Sequence, residues 1–381
     1  MIVFAAVLGL SLYSGINYYI FRRGWQAARG WGGIRVALLI FFIFLASSFF
    51  LGRILGRLGF GGSKVFVAVG SYYLALMAFL LVLVAAVDLL RLGNAFLGFF
   101  PKAVRDSPQK AASFAFVAVL VLAVGLVVGG YWNARRIRFR TVDFDIDKPG
   151  GMYQTLKIAV ASDIHLGISV GPKRLERIVS MINGLGADLV LLPGDVVDED
   201  VSKEEEERMT AILRTLQAPL GVYGVTGNHE YYAGLEESLS HLRRGNVRVL
   251  EDEAVRVEDS FYLIGRKDRT QYRSREPRKS LEEILAGVDK RLPLILMDHQ
   301  PVNLAEAEVQ GVDLQVSGHT HNGQIFPLNL INKLVYELNW GAKRRGKTWY
   351  CVTSGAGTWG PAVRVGSVPE IVLLRLTFGA P

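Results

Sequence analysis

"LKIAVASDIH", Leu156 to His165, is a short apolar run that ends in an acid and a histidine. It reads as a strand with a polar tip. "GPKRLERIVSMINGLG" (Gly171–Gly186) follows with helical periodicity, and "ADLVLLPGDVVD" (Ala187–Asp198) repeats the strand with its polar ending. "SKEEEERMTAILRTL" opens on Ser202, suited to cap a helix whose first turn holds glutamates. "GVYGVTGNHE" is a third strand, "LEESLSHLRRG" a helix, and "SFYLIGRKD", "LPLILMDHQP", "VDLQVSGHTH" and "EIVLLRLTF" are further strands. Strands alternating with amphipathic helices imply a layered α/β fold. In such folds functional side chains sit at the carboxyl ends of the strands, where the sheet opens to ligand.

This pattern begins only at about Val142. The chain has 381 residues, half of them hydrophobic, enough for about two domains. Residues 1–135 read as an all-α transmembrane anchor, 136–154 as a linker and first strand, and 155–381 as the layered domain. Four stretches have the roughly 20 apolar residues that a bilayer requires: Ile2 to Phe21, Val36 to Leu55, Val65 to Val87 and Ala112 to Tyr131. The first lacks a basic leader and a small-residue cleavage site, so it reads as a span and not as a signal peptide. Arg53 and Asp88 fall near span ends, where long side chains snorkel to the interface.

Arg22, Arg23, Arg29 and Arg35 flank one connection, and Arg91, Lys102, Arg105 and Lys110 another on the same side. By the positive-inside rule a multi-pass protein of an inner or plasma membrane would then hold its C-terminal domain outside the cytoplasm. The net charge of +8 lies largely in these flanks. With no basic stripe interleaved with aromatics, nucleic acid is not expected as a partner. One cysteine, Cys351, excludes an intramolecular disulfide framework and a thiolate metal cluster. Nothing in the sequence sets an oligomeric state.

The polar tips carry the chemistry. They hold Asp163 and His165, Asp195 and Asp198, Asn228 and His229, His299, then His319 and His321. Five of the six histidines are therefore at tips. The sixth, His241, lies in a helix beside Arg243 and Arg244 and is expected in solvent. Aspartate, asparagine and histidine without cysteine form an oxygen and nitrogen ligand set suited to Mn, Fe or Zn. The candidates outnumber what one ion can take, and two divalent or trivalent ions side by side would clamp a phosphoryl group. Glu230 reads as a helix-start or supporting carboxylate. "GHTH" places His319 and His321 on alternate positions of an extended strand, facing one site, with Gly318 keeping the turn open and Thr320 turned away.

"DIH", "GDVVD", "GNHE", "DH" and "GHTH", in this order, resemble the five signature blocks of the calcineurin-like metallophosphoesterases over residues 155 to 375. "GAGTWGPAVRVGSVPEIVLLRL" is similar to a membrane-bound bacterial subgroup in which a glycine-rich turn and an arginine follow the last block. The resemblance implies two β-sheets flanked by helices. It implies one ion on Asp163, His165 and His321, a second on Asn228, His299 and His319, and Asp195 bridging them. His229 would contact the phosphoryl group or protonate the leaving oxygen, and Asp198 would orient a histidine. Asp298 would do the same or face solvent, and Arg364 would touch substrate phosphate, or sit at the surface or in a salt bridge. Asn322 stands where the subgroup often has glycine, and asparagine tolerates left-handed backbone.

These expectations describe a membrane-anchored phosphoesterase that splits a phosphate ester or pyrophosphate with a metal-activated hydroxide. A lipid-linked or envelope phosphate, such as UDP-2,3-diacylglucosamine, suits an anchored enzyme. A tethered phosphodiesterase or phosphatase on soluble substrates is a second reading, and a binding module without catalysis a third, against which the complete ligand set argues. "IFPLNLINKLVYELNWGAKRRGKTW" reads as a loop with a basic turn or as a lip into lipid headgroups. "RKDRTQYRSREPRK" (Arg266–Lys279) reads as a mobile basic loop able to steer an anion.

Overall fold

The computed structural model describes residues 2–167, 169–198, 203–270 and 277–379. The chain divides into two compact units, Met1–Tyr131 and Trp132–Pro381. The first is built from α1 (Ile2–Ala27), α2 (Ile34–Arg57), α3 (Ser63–Leu97), the short α4 (Lys102–Asp106) and most of α5 (Pro108–Ala134). Among the described residues α2, α3 and α5 are long and apolar enough to cross a membrane. The stretch read as a further span forms α1. α3 runs on past Asp88. That residue sits within α3, where Arg23 Nε approaches to 2.8 Å and Tyr19 Oη donates to it at 2.6 Å. Pairing of this kind joins apolar helices and offsets the desolvation of an isolated charge.

In the second unit, β1 (Arg138–Pro149), β2 (Thr155–Val160), β3 (Leu189–Pro193), β4 (Val222–Val225), β5 (Arg248–Val249) and β12 (Glu370–Gly379) form a sheet in the order β1-β12-β2-β3-β4-β5. A second sheet, β10-β11-β9-β8-β7-β6, is made of β6 (Glu253–Val257), β7 (Phe261–Gly265), β8 (Leu294–Met297), β9 (Leu314–Ser317), β10 (Gly341–Arg345) and β11 (Thr348–Val352). β2 to β5 run parallel, as do β7, β8, β9 and β11, so both sheets point their carboxyl ends as α/β layers do.

The period-2 alternation of the strands explains the layering. Leu189 and Leu191 face the other sheet and pack with Ile158, Val160, Ile295 and Val316, while Val190 and Leu192 turn outward. The outward set is covered by α6 (Pro172–Asn183), α7 (Lys203–Leu213) and α9 (Leu235–Arg244) through Leu175, Ile178, Leu213 and Leu242. α10 (Leu281–Ile284) and α11 (Ala305–Gln310) cover the far side of the second sheet through Leu281, Ile284 and Ala307. The result is two β-sheets flanked by helices.

Three local expectations change. His241 is buried at 3% exposure, its Nδ1 2.8 Å from Thr210 Oγ1, because α9 turns that face onto α7. The stretch after "GHTH" is not a loop: it forms α12 (Leu328–Val335) and the hairpin β10–β11. Of the basic segment Arg266–Lys279, residues 271–276 lie outside the described residues, and so does Ser202 with its expected capping role. The ends of that segment are not free to steer an anion, since Arg266 Nη1 pairs with Glu306 at 3.0 Å and Arg278 Nη2 with Asp298 at 2.5 Å.

Candidate metal centre

Every tip lies just beyond the last residue of its strand, where the chain must leave the sheet. Asp163 and His165 follow β2, Asp195 follows β3, Asn228 opens α8 (Asn228–Ala233) after β4, His299 follows β8, and His319 and His321 follow β9. Asp163, His165, Asp195, His319 and His321 all have positive φ, between 48° and 69°. A non-glycine residue in that region is strained by about 1–3 kcal/mol, and such strain collects at functional sites. It also corrects the reading of "GHTH". β9 ends at Ser317, and His321 begins a 3-10 turn to Gly323, so the two histidines are aimed by left-handed bends and not by strand alternation.

Close approach of neighbouring tips explains two of the motif glycines. A Cβ on Gly318 would strike Ser162 Oγ and Asp163 Oδ2, and one on Gly227 would strike Asp195 Oδ1. Gly318 is therefore required for contact, not for an open turn. Thr320 does turn its hydroxyl aside, to Asn339 O at 2.5 Å, and Asn322 takes the left-handed conformation at φ 48°.

The tips converge into two groups of donor atoms and a third that links them. In one, Asp163, His165 and His321 lie together; in another, Asp195, His299 and His319; His165, Asp195 and His229 make the link, with all donors in each group within 4.8 Å of one another. His165 Nε2 and His321 Nε2 face each other at 3.0 Å. Two ring nitrogens about 2.1 Å from one ion and at right angles would stand about 3 Å apart, so the pair fits shared ligation. His319 Nδ1 is 2.9 Å from Asn228 Oδ1, which adds Asn228 to the second group. Asp195 Oδ2 lies between the groups, 3.1 Å from His299 Nε2 and 3.9 Å from His165 Nε2.

The surroundings fix how these groups present themselves. His299 Nδ1 meets Pro193 O at 2.8 Å, which fixes the ring so that Nε2 faces Asp195. His299 Nε2 and His165 Nδ1 are buried without a hydrogen-bond partner, which an ion beside the first and a carboxylate beside the second would answer. That carboxylate is Asp198, with Oδ2 3.5 Å from His165 Nδ1 and Oδ1 2.5 Å from His229 Nδ1. Burial alone would raise Asp195, but the charges of His299 and His165 hold it well below the usual carboxylate range. Burial, then the charge of His299, lowers His319 to about 4, so it is neutral near pH 7, the form that ligates metals.

Supporting residues are sorted by the same geometry. Glu230 is fully buried and is not a donor to either group. Its carboxylate accepts from the backbone N–H of Asp195, Val196, Val197 and Gly227 at 2.7–3.1 Å, tying the second tip to the third. Asp298 neither faces solvent nor orients a histidine: it is buried against Arg278 and Arg266. Arg364 is not a surface residue. It is 0% exposed, and its Nη2 donates to Ser354 O and Gly357 O at 2.7 and 2.8 Å and lies 3.2 Å from His321 Nδ1. Burial, then the nearby Arg174 charge, lowers its pKa to about 9.

A cavity of about 320 Å³ opens over the donors, lined by Asp195, Asn228, His229, His319 and His321 below and Leu328, Asn332, Tyr336 and Trp359 at the sides. The four wall residues were not legible as site residues. Leu328, Asn332 and Tyr336 fall in the stretch read as a loop or a lip, and Trp359 in the glycine-rich turn, where its ring centroid is 6.3 Å from that of His229.

The calcineurin-like phosphoesterase family model matches residues 156–323. An uncharacterized metallophosphoesterase of Aquifex aeolicus is 33% identical over 262 residues, covering 66% of this chain and 97% of that one. The chain belongs to the calcineurin-like metallophosphoesterases. A second uncharacterized metallophosphoesterase, from Helicobacter pylori strain J99, is 34% identical over 250 residues, 65% of this chain and 66% of that one. The "Transmembrane protein with metallophosphoesterase domain" of Danio rerio is 33% identical over 290 residues, 71% of this chain and 65% of that one. Against the last two, the alignments leave about a third of the relative's own length unmatched. Family membership makes the second unit a metal-dependent phosphoesterase domain. Its nitrogen and oxygen clusters are the feature of this chain that suits divalent ions.

Proposed function

We propose that this protein is a membrane-anchored phosphoester hydrolase with two metal ions. Asp163, His165 and His321 would hold one ion, and Asn228, His299 and His319 the other, with Asp195 shared. The observation that carries this reading is the meeting of two donor groups at one carboxylate, on the floor of an accessible cavity. Two such ions supply positive charge against the oxygens of the ester and lower the pKa of water enough for hydroxide to be at hand near neutral pH. The chain's own work is to aim these donors and to handle a proton. His229 is partly exposed and its Nδ1 is held by Asp198 at 2.5 Å, which leaves Nε2 for the leaving oxygen. Burial opposes protonation of His229, but the Asp198 hydrogen bond and the charge of Asp195 raise its pKa, as suits a general acid.

The substrate is a phosphate ester or pyrophosphate, and the anchor favours a lipid-linked or envelope compound, with UDP-2,3-diacylglucosamine as one candidate. Hydrolysis of soluble phosphodiesters or monoesters by a tethered domain is the second reading. The membrane segment is multi-pass. With α1 counted as a fourth span, the arginine-rich flanks leave the catalytic unit outside the cytoplasm.

The test uses full-length protein in detergent with Mn, Zn or Fe. Hydrolysis of bis(p-nitrophenyl) phosphate and two bound ions per chain are expected. A panel of phospholipids and nucleotide-linked lipids then separates the two substrate readings. No turnover with any of these ions, together with fewer than two ions bound, would leave only the non-catalytic reading.

A further inference from the structure

One wall of the metal cleft is an apolar helix that buries nothing. α12 has the sequence LNLINKLV, and none of its residues is buried. Leu334 is 88% exposed and Val335 66%, with Leu330 and Ile331 close to half. Its attachment to the domain is polar: Asn332 Nδ2 donates to Thr320 O at 2.8 Å, and Asn329 packs over Gly366. Leu328 faces the cleft, and Tyr336, just past the helix, lines it as well. Helices of water-soluble domains are held by an apolar face packed inward, so α12 is inverted with respect to water. A contiguous apolar patch of this kind marks an interaction surface.

The same end of the domain holds the last turn of α5. Asn133 in that turn donates to Arg364 O at 2.9 Å and Ser367 O at 2.8 Å. Residues 364–367 thus touch Asn133 on one side and Asn329 of α12 on the other. α5 is long and apolar enough to cross a membrane, and a span gives way to the headgroup layer where it ends. We propose that α12 lies in that layer, its exposed leucines and isoleucine at the acyl boundary, so that the metal cleft opens onto the membrane surface. An eight-residue helix is about 12 Å long and can lie in the interfacial plane. Phe326 and Trp359, 40% and 53% exposed, flank it as interfacial aromatics do. The occupant is a lipid surface, and the substrate class that follows is a phosphate ester carried by a lipid. That last step rests on the hydrolase reading above; the docking of α12 does not.

The test places a nitroxide at position 334 through Leu334→Cys in full-length protein, reconstituted in nanodiscs of phosphatidylethanolamine and phosphatidylglycerol. Cys351 is buried and does not compete for the label. A reference label goes at Asp259→Cys, in the turn between β6 and β7 at the edge of its sheet farthest from β10. Power saturation with oxygen and an aqueous nickel chelate is expected to put the Leu334 label in the oxygen-rich lipid phase and the Asp259 label in water. A Leu334 label as nickel-accessible as the reference overturns the proposal, and so does one shielded from both reagents, which would mean a protein partner or a second copy. The same samples are assayed with bis(p-nitrophenyl) phosphate and Mn, Zn or Fe. Hydrolysis with an aqueous label removes the docking alone, and a lipid-phase label supports the docking even where absence of turnover with Mn, Zn and Fe and fewer than two bound ions remove the hydrolase reading.

Discussion

The floor and the wall of the cleft are built on opposite principles. The floor is over-determined. Asp163 and His299 are fully buried, five of the donors are held in left-handed bends, and neighbouring atoms lie so close to Gly227 and Gly318 that no side chain fits. The wall, α12, contributes no buried residue to the domain. Rigid sheet ends can store the strain that aims ligands, because the core beneath supplies the stabilisation. A segment that must meet a membrane or a substrate has no such support and is free to present apolar surface. The difference teaches that chemistry and access are separately encoded here, and mutations should separate them.

The largest effect is expected at the point where the two donor groups meet. Asp195→Asn should lower kcat on bis(p-nitrophenyl) phosphate by about 10³-fold or more, at the upper end of what loss of one electrostatic stabiliser does. The folded state should persist by circular dichroism, since Glu230 still holds the turn. Activity within a few-fold of the parent would remove Asp195 from the centre. Below this in scale, Leu191→Ala under the floor should lower stability by about 2–5 kcal/mol, whereas Leu334→Ala on the wall should change it by less than about 0.5 kcal/mol. Thermal unfolding in detergent reads both, and equal losses would erase the contrast drawn above.

His229→Gln should lower kcat by about 10²-fold while both ions remain bound, with a larger loss for esters of poor leaving groups. An equal loss for good and poor leaving groups would reassign His229 from proton transfer to phosphate contact. The smallest effect concerns His241, away from the cleft. Burial, opposed by the charge of Glu206, lowers its pKa in the folded state. The unfolded chain therefore binds the proton first as pH falls below the ordinary histidine value of about 6.5, so stability should decline from that point downward and level off below the folded value. His241→Gln should flatten this part of a Tm-against-pH curve, and an unchanged slope would place the acid sensitivity elsewhere.

The layered fold was readable because both of its signals are local. Runs such as LVLLP alternate their side chains between two buried faces, and each run ends where a carboxylate or histidine replaces the apolar residues. The edge strands were harder. β5 has two residues, and β10 is largely exposed and charged, so neither carries an apolar pattern. Arg364 looked like a surface residue because arginine is mostly exposed, and His241 because it stands beside Arg243 and Arg244 in a helix. Their burial depends on partners elsewhere: the carbonyl cage of 354–357 around one, and Thr210 of α7 beside the other.

Residue types and their order along the chain determined the kind of chemistry: oxygen and nitrogen donors without thiolate, one set at each strand end, behind a stretch apolar enough for a bilayer. Only the tertiary structure decided which donors share a group, and which face of α12 is left uncovered. His165 and His321 are 156 residues apart and meet at 3.0 Å. That pairing depends on strand order across two sheets and on the left-handed bends after β2 and β9. Spacing in sequence carries no record of either, because a strand end specifies where a side chain leaves the sheet but not which neighbour the folded sheet sets beside it.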